Sequence, residues 1–97
     1  LGTRERGAEL GLRPRARLAA IAEVNADPDR PFEAGFVAYA KALARAGIAE
    51  DDLDVVEFME AFAAVPARFL RDHPRVAEKT NRDGGHLAMG HPMGASG

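Results

Sequence analysis

The residues able to do chemistry crowd into the end of the chain, which reads Asn81-Arg82-Asp83-Gly84-Gly85-His86-Leu87-Ala88-Met89-Gly90-His91-Pro92-Met93-Gly94-Ala95-Ser96-Gly97. Five of the ten glycines fall in its last fourteen residues. Glycine serves where backbone turns sharply or comes close to a ligand. His91 lies between Gly90 and Pro92, in a constrained loop. An imidazole changes charge between about pH 5 and 8, which suits a general base or proton shuttle. Taken singly, a glycine-rich run is commonly only a loop, and a histidine beside proline is commonly structural. His86 and His91 are five apart, with His73 further back. Without cysteine or a His-Glu-x-x-His helix, that spacing predicts no metal site. No Gly-Lys-Ser/Thr closes the run, and its glycine spacing is wrong for a dinucleotide fingerprint. No bound cofactor is predicted.

Composition narrows the rest. The chain has 97 residues, 46% hydrophobic and 29% charged, which is globular rather than disordered. Thirteen Lys and Arg against fifteen Asp and Glu give a net charge of -2, without the basic excess typical of a nucleic-acid binder. No apolar run approaches the ~20 residues of a membrane span. No charged-then-apolar signal segment opens these residues, and the full protein is expected to be cytoplasmic. Leu1 and the glycine-rich end are both expected to be cuts in a longer chain.

The loop must be positioned by the elements before it. Glu5, Glu9, Leu10 and Leu12 support a short helix ending at Gly11. Residues 15–24 alternate at period two, which predicts a strand with its middle buried on both faces, although the alanines would also permit a helix. Phe32, Phe36, Ala40, Leu43, Ala44 and Gly47 then recur at three and four, which predicts an amphipathic helix capped by a left-handed Gly47. Leu53, Val55, Val56 and Phe58 read as a short buried strand. A helix over 60–72 follows, in which Pro66 either kinks the helix or marks its real first turn. Residues 76–81 are a third candidate strand, and Gly94 to Gly97 could begin a helix. Alternating strands and helices predict an α/β fold with mostly parallel strands and helical crossovers.

The tail resembles a known family. Gly84-Gly85-x-x-Ala88-x-Gly90-His91-Pro92-x-Gly94-Ala95-Ser96-Gly97 is similar to the C-terminal signature of the thiolases, the acetyl-CoA C-acyltransferases. Residues Asp52 to Ala64 resemble the thiolase strand followed by Asn-Glu-Ala-Phe-Ala-Ala. The stretch Glu9-Leu10-Gly11-Leu12-Arg13-Pro14-x-Ala16-Arg17 resembles the start of the family's C-terminal domain, and Ala42-Leu43-x-x-Ala46-Gly47-Ile48 a thiolase helix end. The likeness runs through the whole chain. It implies that residues 1–97 are a partial C-terminal domain within the layered thiolase fold.

The resemblance also implies a function. Thiolases cleave a 3-ketoacyl-CoA with coenzyme A, or run the reverse Claisen condensation, in fatty acid and lipid metabolism. A cysteine in the N-terminal half takes up the acyl group. The histidine of Gly-His-Pro, here His91, activates that cysteine and helps bind a thioester oxygen. A second cysteine, just after Gly-Ala-Ser-Gly, shuttles the substrate proton. Ala61 and Phe62 match positions lining the acyl-pantetheine path, and Met59 stands where the family has an asparagine that helps polarise the thioester. An acyl-CoA substrate and a full-length homodimer or homotetramer are expected, with no nucleic-acid or membrane partner and no metal or bound cofactor.

Three departures stand out. The chain has no cysteine, so these residues alone cannot run a thiolase cycle. Met59 donates no hydrogen bond. The loop from Asp29 to Gly35 lacks the family's Met-Gly-x-Gly-Pro stretch and has Phe32, with Phe36 following. These changes imply an altered acyl specificity or a weakened enzyme, and Met59 motivates a second reading, a thiolase-like protein that binds acyl-CoA or lipid without turnover. Glu60 is expected to stabilise the N-terminus of the helix after it.

Overall fold

The computed structural model describes residues 1–94. Helix α1 spans Arg4–Glu9, α2 Glu33–Ala46, α3 Ala64–Asp72 and α4 His86–Met89, with 3-10 turns at Glu50–Asp52 and Pro74–Lys79. Among the described residues no helix is long and apolar enough to cross a membrane.

Helix α2 forms where the three-and-four spacing predicts it, and Gly47 ends it at φ 66°, ψ 32°. The amide of Gly47 reaches the Ala44 carbonyl and that of Ile48 the Leu43 carbonyl. This is the paired closure that a left-handed cap allows, and it satisfies carbonyls the helix leaves open. Helix α3 begins at Ala64, later than the expected 60. Pro66 then falls in the first turn, where its missing N–H would have had no partner within the helix.

The core gathers on Phe69, which has no solvent exposure. Its ring stacks on Phe58 at 4.1 Å, meets Tyr39 edge-on at 5.0 Å and lies 4.7 Å from His73. Phe36 stacks on Phe58 from α2, while Val56 and Val76 complete the buried cluster. One side chain of α3 therefore ties α2, the segment over 53–58 and the Pro74–Lys79 turn together. A polar clasp closes the same junction. The Tyr39 hydroxyl donates to Glu50 Oε1 at 3.0 Å, and His73 Nδ1 lies 2.6 Å from that oxygen. Burial first, then the Glu50 carboxylate, pushes the Tyr39 phenol up to about 12.

None of the three expected strands forms among the described residues, and 53–58 keeps only an isolated bridge at Val56, with Val55 55% exposed. Residues 15–24 carry no strand: the segment is held from the side by Lys41 Nζ on the Glu23 carbonyl and by Arg45 on the Ile21 carbonyl. Its period-two pattern survives in half-buried Ala20, Ala22 and Val24, while Ile21, expected inside, is 62% exposed. A ladder partner is missing among the described residues, and extended backbone without one is not a strand. Residues 76–81 are mostly the 3-10 turn Pro74–Lys79, started by Pro74 at a position that suits proline. Only Thr80 forms a bridge, parallel, to Val56.

That bridge positions the site. Val56 N–H donates to the Lys79 carbonyl and Asn81 N–H to the Val56 carbonyl, each at 2.9 Å. Asn81 then turns left-handed at φ 47°, a conformation its short amide side chain tolerates. The main chain swings away, and the side chain continues the pairing in its place. Phe58 N–H donates to Asn81 Oδ1 at 2.8 Å, and Asn81 Nδ2 donates to the Phe58 carbonyl at 2.9 Å.

Candidate active site

The bridged segment delivers Glu60 to the mouth of the terminal loop. Glu60 Oε1 accepts from Asn81 Nδ2 at 2.8 Å, and Oε2 accepts from the Leu87 amide at 3.0 Å, in the first turn of α4. The Leu87 amide chiefly, then Asn81, holds the Glu60 carboxyl below the usual carboxylate range; His86 adds a smaller pull, and desolvation opposes them. The expected role at a helix N-terminus is thus corrected. Glu60 serves α4, 27 residues on, rather than α3, because the chain from 60 to 63 has not yet begun to coil.

Gly85 makes this approach possible. Its backbone is ordinary extended chain, φ -126°, so what it lacks room for is a side chain. A Cβ there would run into the Glu60 carboxylate. Gly85→Ala in the intact protein is therefore expected to displace Glu60 from Asn81 and Leu87, costing about 1–2 kcal/mol for hydrogen bonds to a half-exposed charge. Denaturant unfolding checks this, and the cost should largely vanish in a Glu60→Ala background, because the two changes break the same contacts.

Behind Glu60 stand two imidazoles. The Glu60 amide donates to His86 Nδ1 at 3.2 Å. The His86 and His91 rings lie 5.0 Å apart, tilted by 41°. Gly90 ends α4 at φ 91°, with its amide on the His86 carbonyl, and this turn carries His91 back beside His86. His91 is half-buried. Through His86, which takes the Glu60 amide, it stands near the end of the 53–58 segment.

The other expected residues scatter somewhat. Met59 precedes Glu60 directly and is 38% exposed. Ala61 is half-buried. Phe62 is exposed, with its ring edge-on to Phe32 at 5.6 Å, which places it at the start of α2 rather than against the imidazoles. The expected helix start at Gly94 to Gly97 lies mostly outside the described residues; Gly94 itself is in a turn. Asn81 and His86 are the members that motif reading missed. A histidine five residues before His91 was the available signal for His86. For Asn81 the signal was an asparagine before a glycine pair. Among the described residues no three of His, Asp and Glu converge to hold a metal ion.

Comparison with known proteins places this geometry. Residues 12–97 match the family described as thiolase, C-terminal domain. The chain is 42% identical over 96 residues to a 3-ketoacyl-CoA thiolase of Idiomarina loihiensis, covering 96% of this chain and 25% of that protein. It is 48% identical over 92 residues to a 3-ketoacyl-CoA thiolase of Pseudoalteromonas translucida, covering 92% and 24%. The crystal structure of the Bacillus anthracis acetyl-CoA acetyltransferase superposes with a TM-score of 0.87 at 30% identity, over 97% of this chain and 24% of that one. The chain thus spans about a quarter of the length of these relatives. Its match through nearly every residue, in sequence and in fold, shows that the chain belongs to the thiolase family, in the C-terminal domain.

Proposed function

We propose that the protein containing this chain is a thiolase-type acyltransferase, cleaving 3-ketoacyl-CoA with coenzyme A or running the reverse Claisen condensation. The observation that carries the reading is the seat of His91: an imidazole fixed between Gly90 and Pro92 and set beside His86, whose Nδ1 takes the Glu60 amide. A neutral imidazole there accepts the proton of an attacking thiol. The resulting imidazolium donates to the oxygen on which charge develops. The thiols come from elsewhere in the protein, since this chain has none. Ala61 and Phe62 line the acyl-pantetheine path, and Met59 borders the thioester.

In the whole protein, residues 1–97 form part of the C-terminal domain. The Val56–Thr80 bridge extends there into parallel strands with helical crossovers, and 15–24 joins them once a neighbour supplies its ladder. The assembly is a homodimer or homotetramer working in the cytoplasm in fatty acid metabolism, on acyl-CoA and with no metal or bound cofactor.

The test is CoA-dependent cleavage of a 3-ketoacyl-CoA by the intact protein. Turnover that His91→Ala abolishes supports the enzyme. Tight acyl-CoA binding with no turnover overturns it in favour of the binding-only reading that Met59 motivates.

A further inference from the structure

His86 is the group the proposed mechanism leaves unused, and its chemistry is unusually well determined. A backbone N–H can only donate, so the His86 Nδ1 that faces the Glu60 amide at 3.2 Å must present a lone pair. In the neutral ring the proton then sits on Nε2. No hydrogen bond to Nε2 is made among the described residues. The ring is half-buried, and the backbone on both sides of it is held. Gly85 and Leu87, on either side of it, are respectively closed against and bonded to the Glu60 carboxylate. The Glu60 carboxylate is itself anchored by Asn81.

The ring beside His86 is that of His91, 5.0 Å between centres and tilted by 41°. The side chain of Met59, the residue adjoining the Glu60 amide, offers no donor.

Resting on the proposed function, we infer that His86 is a second catalytic imidazole. Its Nε2–H donates to the same thioester oxygen that His91 serves. The Glu60 amide fixes the tautomer, and the Asn81–Glu60–Leu87 network fixes the ring. Such a donor does no proton transfer. It stabilises charge that grows on the oxygen, so its loss lowers kcat more than it raises KM.

Two readouts on the intact protein test this. The first is the infrared stretch of a 13C-labelled thioester carbonyl in bound acetyl-CoA, which needs no turnover and moves to lower frequency when the oxygen accepts a hydrogen bond. The second is kcat for 3-ketoacyl-CoA cleavage. His86→Phe keeps a ring beside His91 but removes both nitrogens. It is expected to return the stretch toward its value in water-free solvent and to lower kcat about 10²-fold, with KM changed less than threefold. His86→Gln keeps an acceptor for the Glu60 amide and a donor beyond it, and should recover at least tenfold of the lost kcat. A purely structural role predicts no such split between the two variants. An unchanged carbonyl stretch and kcat in His86→Phe overturns the inference. A carbonyl shift that depends on His86 in a protein without turnover overturns the enzyme reading and the catalytic role of His86 with it. Failure to bind acetyl-CoA overturns both.

Discussion

His91→Ala in the intact protein is expected to lower kcat/KM for CoA-dependent cleavage of a 3-ketoacyl-CoA by about 10³-fold or more. Positioned general acid–base groups contribute about 10²–10⁴-fold, and this one also helps hold the oxyanion. The expectation follows from where the ring stands. Gly90 turns the chain at φ 91°, and Pro92 follows directly. The ring is delivered next to His86, and through it to the Glu60 backbone. Neither of the other two imidazoles of this chain is placed to take over as base. His86 offers its Nδ1 lone pair to an amide, and His73 sits in the core junction against Glu50. Folding should be nearly untouched, since His91 is not part of the buried cluster. A decrease of less than tenfold, in a protein that otherwise turns over, would remove His91 from the chemistry.

Phe69→Ala should have the largest effect on stability. The ring is wholly enclosed and touches Phe58, Tyr39 and His73, with Phe36 stacked 6.5 Å away. Replacing such a phenylalanine removes its burial and leaves a cavity, which typically costs about 3–5 kcal/mol. Domains are stable by only about 5–15 kcal/mol, so the variant should lie close to unfolding. The damage should spread, because α2, the 53–58 segment, α3 and the Pro74–Lys79 turn all pack on this cluster. Denaturant unfolding of the variant measures it. A loss below 1 kcal/mol would mean that the four elements are held together by something other than the aromatic stack.

How much of this could be read in the sequence depends on whether the cause was local. Helix α2 and its Gly47 end were legible, because stripe and left-handed cap are both written within one segment. Pro66 was legible as one of two outcomes, and the first-turn outcome is the one observed. The histidine loop stood out because glycine and proline declare backbone constraint directly. Residues 15–24, 53–58 and 76–81 misled for one physical reason. Alternation describes which faces are buried, but a strand also needs a neighbour to bond with, and that neighbour is not specified locally. At 76–81, Pro74 additionally favoured a tight helical start.

Within the site, Asn81 and Glu60 were hidden because their roles depend on distance in sequence. Asn81 completes a pairing with Phe58, 23 residues away, and Glu60 bonds Leu87, 27 residues away. Neither spacing carries a motif. His86 was visible as a residue but had no meaning until its Nδ1 was found facing an amide. Glycine at 85 is explained by the same contact, as room for a carboxylate rather than freedom to turn.

The most direct measurement is the pH dependence of thiol alkylation by iodoacetamide in the intact protein and in His91→Ala. An imidazole partner lowers a thiol's apparent pKa, to roughly 3.5–7.5, from the ordinary ~8.5. The account predicts one rapidly alkylated cysteine whose titration lies in that lowered range. In His91→Ala it should move back toward ordinary thiol behaviour, with alkylation at neutral pH slowed accordingly. A reactive thiol that titrates identically with and without His91 would contradict the account at its centre.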